Sequence, residues 1–103
     1  MLTNIATPNI GKINISKYVV YYFKEQINTV DDCKGIEAAL LSLQSKEIEK
    51  LDLPLKTNYI DKQNSLEFWV HKESSTVFLI TINENEKVVS IALKANMDEF
   101  IFR

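Results

Sequence analysis

Nucleophilic catalysis by a cysteine needs a base to take the thiol proton and a third group to orient that base. The chain offers one cysteine, Cys33, set between Asp32 and Lys34, and one histidine, His71. Cys33 falls at an expected helix start, where the helix dipole favours a thiolate. His71 lies in a different expected element, no spacing links the two, and Cys33 is read as incidental. A metal site has no better basis. One Cys and one His leave carboxylates as the remaining ligands, and neither His-x-x-x-His nor Asp-x-Asp spacing occurs. Gly11 and Gly35 stand alone, so no glycine-rich loop is present to cradle a phosphate. Acid–base pairs of carboxylates are assembled in space and leave no fixed spacing. Glu47, which interrupts the apolar pattern of its expected helix, would join Glu67 and His71 as the first groups to test for such chemistry. The expectation is a protein with no catalytic residues, no metal and no cofactor.

Residues suited to binding are easier to place once the elements that carry them are read. Ser16 can cap a helix running to about Asn28, with Val19, Tyr22, Phe23, Ile27 and Val30 turned inward. A strand buried on both sides competes for the same segment, because Val19, Val20 and Tyr21 favour strands. Asp31 or Asp32 caps a second helix from Cys33 to about Leu51, which buries Ile36, Ala39, Leu40, Leu43, Ile48 and Leu51. Leu53-Pro54 ends it, since proline excludes helical dihedrals from the residue before it. Beyond Pro54 the apolar period becomes two. Strands are expected over residues 56–61, 65–72, 76–83, 87–94 and 99–103. The strongest pair, 76–83 with 87–94, is joined by Asn83-Glu84-Asn85-Glu86, where Asn tolerates the left-handed conformation of a tight turn. The fold class is therefore α+β: two N-terminal helices packed on an antiparallel β-meander of three to five strands, one domain over residues 1–103.

Strict alternation puts Phe78, Ile80 and Ile82 on one face with Val89, Ile91 and Leu93. The opposite face then carries Val77, Leu79 and Thr81 beside Val88, Ser90 and Ala92, with Glu67, Trp69 and His71 from the neighbouring strand. Either the helices or the segment 10–15 covers that second face, or it is a partner surface with Trp69 as its apolar anchor. Glu84 and Glu86 in the hairpin, with Asp98 and Glu99 before the last strand, place carboxylates at its rim, suited to capture of a basic protein.

The balance of the 103 residues restricts the partner. Twelve bases against fourteen acids give a formal charge of −2, whereas domains that grip a nucleic-acid backbone are usually strongly basic. A single Cys rules out an internal disulfide. The start of the chain lacks the basic and long apolar regions of a signal peptide. The longest apolar run, residues 18–23, is far short of the ~20 residues that cross a bilayer. A cytoplasmic protein is expected, a monomer or weak dimer without a membrane or direct nucleic-acid partner.

Ile, Lys and Asn make up 32 of the 103 residues, an AT-rich signature in codon terms. With that composition, the acid-bearing hairpin TVFLITINENEKVVSIALK and the short aromatic finish MDEFIFR, the chain resembles the small bacterial immunity proteins of contact-dependent growth inhibition and related polymorphic toxin systems. The resemblance lies in layout and spans most of the chain. It implies a tight one-to-one complex with a toxin nuclease whose active site or substrate groove is covered. A secretion chaperone, or a small enzyme built on spatially assembled carboxylates, are the other classes the layout allows.

Overall fold

Alternation of apolar and polar side chains is clearest over residues 76–94, and that segment forms the centre of the fold. The computed structural model describes residues 2–51 and 64–95. In chain order the elements are β1 (Leu2–Thr7), β2 (Gly11–Ile15), α1 (Lys17–Gln26), α2 (Asp32–Leu43), β3 (Glu49–Lys50), β4 (Asn64–His71), β5 (Thr76–Asn83) and β6 (Glu86–Lys94). The expected strands over 56–61 and 99–103, and the stop at Leu53-Pro54, lie outside the described residues.

The six strands form one sheet in the order β1-β2-β6-β5-β4-β3, curled into a half-barrel. This corrects the expected architecture in two respects. Two strands precede the helices, and the sheet is mixed, because β2 runs parallel to β6 with Asn14 opposite Val88 and Ile15 opposite Val89. The N-terminal hairpin has a local chemical basis. Pro8 presets a turn dihedral, Gly11 takes φ 96°, and the Thr7 hydroxyl donates to the Gly11 carbonyl while accepting from Ile10 N–H. Ile13 and Ile15 then point inward, 1% and 0% exposed. Five residues of alternation carry too little period to be read as a strand, and the pattern alone suggests at most a segment lying over a face. The segment instead extends the sheet edge-on.

Both helices keep their expected starts and stop early. Asp31 caps α2 by accepting from Cys33 N–H at 2.9 Å. Ser16 sits at the α1 cap position without capping it. Its hydroxyl donates to the Ser90 carbonyl at 2.8 Å, and its N–H donates to the Val89 carbonyl at 3.0 Å. The helix start is thereby tied to β6. Since α1 ends at Gln26, Ile27 and Val30 leave the core, and Val30 is 94% exposed. The second helix ends at Leu43, not near Leu51. Ser45 Oγ accepts from Glu47 N–H in the next turn, Glu47 is exposed, and Ile48 returns to the core. The two helices meet at Gly35, where a Cβ would come within 2.5 Å of Lys24 Cγ and 3.0 Å of the Val20 carbonyl.

Register decides which faces are apolar. Trp69 pairs with Phe78, Glu67 with Ile80 and His71 with Thr76. Side chains directly opposite on paired strands share a face, so Glu67, Trp69 and His71 stand with Phe78 and Ile80, not across the sheet from them. Between β5 and β6 the register shifts: Leu79 pairs with Ile91 but Ile80 pairs with Val89, leaving Ser90 as an extra residue. This bulge reverses the facing of the β6 residues beyond Ser90. Val89 and Ala92 are buried, whereas Ile91 and Leu93 turn outward, 42% and 58% exposed.

The main core thus joins Val19, Phe23, Ala39 and Leu43 of the helices to Ile13, Ile15, Trp69, Phe78, Ile80 and Val89 of the sheet. A smaller cluster of Leu51, Val70 and Val77, with Phe68 and Ala95 against it, occupies the other face. Because β5 and β6 are each paired on both sides, amides of 77–82 and 88–93 are expected to exchange most slowly with deuterium. Faster exchange there than in β1, which is paired on one side only, would contradict this arrangement.

Candidate functional site

The turn between β5 and β6 carries the acids that sequence patterning singles out. Asn83 pairs with Glu86, so Glu84 and Asn85 form a two-residue connection. Glu84, not an asparagine, takes the positive dihedral, φ 56°. A positive φ at the first central position is where such a turn favours glycine. Glu84 and Glu86 are both exposed, and among the described residues neither forms an ion pair. Replacing Glu84 by glycine is expected to stabilise the fold by about 0.5–1 kcal/mol, since a side chain in left-handed backbone is strained and glycine is not. Alanine, which removes the charge but keeps the Cβ, should give no such gain in urea denaturation.

Glu67 is held quite differently. Its carboxylate lies 3.0 Å from Lys50 Nζ and 3.8 Å from Lys87 Nζ, and it accepts from the Trp69 indole N–H at 3.1 Å. Its side chain is only 15% exposed. Burial pushes its pKa upward, but the hydrogen bonds from Lys50 and Trp69 and the charge of Lys87 outweigh that and leave it lowered. Lys87 also donates to the Ile10 carbonyl at 3.1 Å, which fastens the β1–β2 turn to the same network. Glu67 is thus engaged on both oxygens by partners within the fold. Trp69 is 8% exposed beneath the helices, so the uncovered face that an anchoring role requires is not there.

His71, 6% exposed, opens onto a third environment. Its Nδ1 lies 2.7 Å from Ser74 Oγ. Ser74 Oγ lies in turn 3.1 Å from Thr76 Oγ1 and 3.3 Å from Ser42 Oγ. The group borders a cleft of about 470 Å³ between α1, α2 and the β4–β5 turn. Cys33 is exposed in the first turn of α2 and takes no part in it. Glu47, Glu67 and His71 are likewise not gathered: Glu67 is engaged with lysines, His71 with hydroxyls, and Glu47 faces solvent. Asp98 and Glu99 lie outside the described residues.

Sequence patterning misses the aromatic surface of α1. Tyr18 and Tyr21 are 65% and 61% exposed and border a cleft of about 580 Å³ with Leu2, Val20 and Ile36. A hydrogen bond from Tyr21 to Glu25, one turn on, raises the phenol pKa, with the charge of Glu25 adding to it. The signal is present in the chain, since residues 18, 21 and 25 fall on the side of the helix opposite Val19 and Phe23.

Among the described residues no cluster of three or more His, Cys, Asp or Glu could hold a metal ion, and no helix is long and apolar enough to cross a membrane. No family model, no curated protein and no solved structure matches the chain.

Proposed function

We propose that this is a non-catalytic binding protein that neutralises a cognate toxin, a basic nuclease, by covering its active site or substrate groove. The observation that carries the reading is the β5–β6 tip. Glu84 and Glu86 are exposed there and form no ion pair among the described residues, and Glu84 occupies backbone that glycine would adopt at lower cost. Strained residues cluster where they serve function, and a groove that holds nucleic acid is itself positive, so an inhibitor needs carboxylates in place of phosphates. Tyr18 and Tyr21 offer a second contact of the type enriched at interface hot spots. In this reading the protein acts in the cytoplasm, as a monomer or weak dimer, without cofactor and without touching nucleic acid itself.

The test begins with the neighbouring genes: a toxin domain encoded beside this one is expected, and it is co-expressed with the protein. Wild type should protect the cells, whereas Glu84→Lys with Glu86→Lys should fail to protect while remaining folded. Association with the purified toxin should slow by tenfold or more and lose its dependence on salt, since rim charges act chiefly on encounter rate. If those two acids together with Asp98 and Glu99 can be reversed with protection, affinity and salt dependence intact, electrostatic capture of the toxin is wrong.

A further inference from the structure

The cleft beside His71 has the features of a small-molecule site, independent of the β5–β6 tip. At about 470 Å³ it falls within the size range of ligand pockets. Tyr22 and Phe23 of α1, Ile27 just after it and Leu41 of α2 supply its apolar walls, and His71, Glu73 and Ser74 its polar end. The neighbouring hydroxyls favour one tautomer of the imidazole. Thr76 Oγ1 gives its proton to the Ser74 carbonyl at 3.0 Å, so it can accept from Ser74 Oγ at 3.1 Å. Ser74 Oγ has two oxygens to donate to, Thr76 Oγ1 and the His71 carbonyl at 3.4 Å, and with its proton on either it accepts from Nδ1–H, the tautomer that leaves a lone pair on Nε2. Among the described residues nothing donates to Nε2, although His71 is only 6% exposed. A ring nitrogen of a cleft-lining residue that has no partner in the protein is a point at which a ligand can bind.

Charge selects the class of that ligand. Glu73 is the single charged side chain on the cleft, and it has no ion-pair partner among the described residues. An acceptor lone pair, a free carboxylate and two aromatic rings together favour a hydrogen-bond donor that is cationic and attached to an apolar body. We infer that the cleft between α1, α2 and the β4–β5 turn binds a small amphipathic primary amine, its ammonium between His71 Nε2 and Glu73 and its apolar part against Tyr22, Phe23, Ile27 and Leu41. A carboxylate would be repelled by Glu73, and a neutral alcohol would bring one donor and no charge.

His71 is the only histidine of the chain, so nitrogen-detected NMR of the imidazole reads the site without overlap. Phenethylamine is the probe, with 2-phenylethanol and 3-phenylpropionate as neutral and anionic counterparts. Phenethylamine should shift Nε2 saturably, 2-phenylethanol should bind at least tenfold more weakly, and 3-phenylpropionate should leave the signal unmoved. Glu73→Gln, on an exposed turn position, should weaken the amine about tenfold, the loss of one charge-assisted contact, with little change for the alcohol. His71→Phe should abolish amine-induced shifts at Ile27 and Leu41 methyls. Should His71→Phe unfold, the Glu73→Gln comparison still decides. No saturable shift with phenethylamine at about 10 mM, ten times a 1 mM Kd, would overturn the inference. So would equal binding of the anionic probe, or amine affinity unchanged by Glu73→Gln.

Discussion

Replacing Phe78 by alanine is expected to lower the free energy of unfolding by about 3–5 kcal/mol, the range for truncating a fully enclosed aromatic. Phe78 is 0% exposed and is the largest fully buried side chain of the described residues. Its ring stacks on that of Phe23 at 6.0 Å between centroids, and Tyr22 meets Phe23 edge-on at 5.1 Å. It also stands opposite Trp69 on β4 and Ala92 on β6. One truncation therefore opens a cavity against α1 and two strands at once. For a domain whose total stability is on the order of 5–15 kcal/mol, that is about a fifth of the whole or more. Phe78→Leu, which keeps most of the volume, should cost less than half as much. Urea denaturation measures both. A loss below about 1 kcal/mol for the alanine variant would mean that the ring does not hold α1 to the sheet.

Replacing Glu67 by alanine should cost about 1–3 kcal/mol, because it leaves the buried indole N–H of Trp69 without its acceptor and takes an ion partner from the partly buried Lys87 and the exposed Lys50. Glu67→Gln retains an acceptor for Trp69 and should lose less. The pH dependence comes from the lowered folded-state pKa. Glu67 binds its proton more weakly in the folded chain than at the ordinary value of 4.5. Its contribution is present above that value and is lost as pH falls through the folded value below it. Denaturation midpoints compared between neutral and strongly acidic pH should therefore fall more steeply for wild type than for Glu67→Gln. Parallel slopes would show that the lysines do not hold the carboxylate in its charged form.

Those two residues also show where sequence patterning reaches its limit. Alternation alone suffices to place Phe78 in the core. It puts Glu67 and Trp69 on the wrong face, because alternation within one strand does not fix parity against its neighbour. That parity comes from the β4–β5 connection, which sets His71 opposite Thr76. Ile91 and Leu93 are misplaced by the pattern for a related reason. The bulge at Ser90 resets the alternation, and nothing in VVSIALK distinguishes a bulged serine from a regular one. The helix starts are legible from Ser16 and Asp31, but the early stop at Leu43 is not, since Ile48 and Leu51 continue an apolar pattern on a different path. Of the site residues, Glu84 and Glu86 can be located by turn chemistry. The surroundings of His71 cannot, because they form only where both helices meet a turn distant in sequence, as with Ser42 and Ser74, 32 residues apart.

The parallel seam between β2 and β6 has a consequence for how the chain reaches this state. Ser16 and Ser90, which clasp each other beside that seam, are 74 residues apart. During synthesis β1, β2 and both helices leave the ribosome well before β6, so Ile13, Ile15, Val19 and Phe23 wait with many of their eventual neighbours still unmade. Closing so distant a contact is entropically slow, and folds dominated by such pairings assemble later than local ones. The nascent chain, rather than the finished protein, is therefore the form most exposed to proteases and to wrong associations.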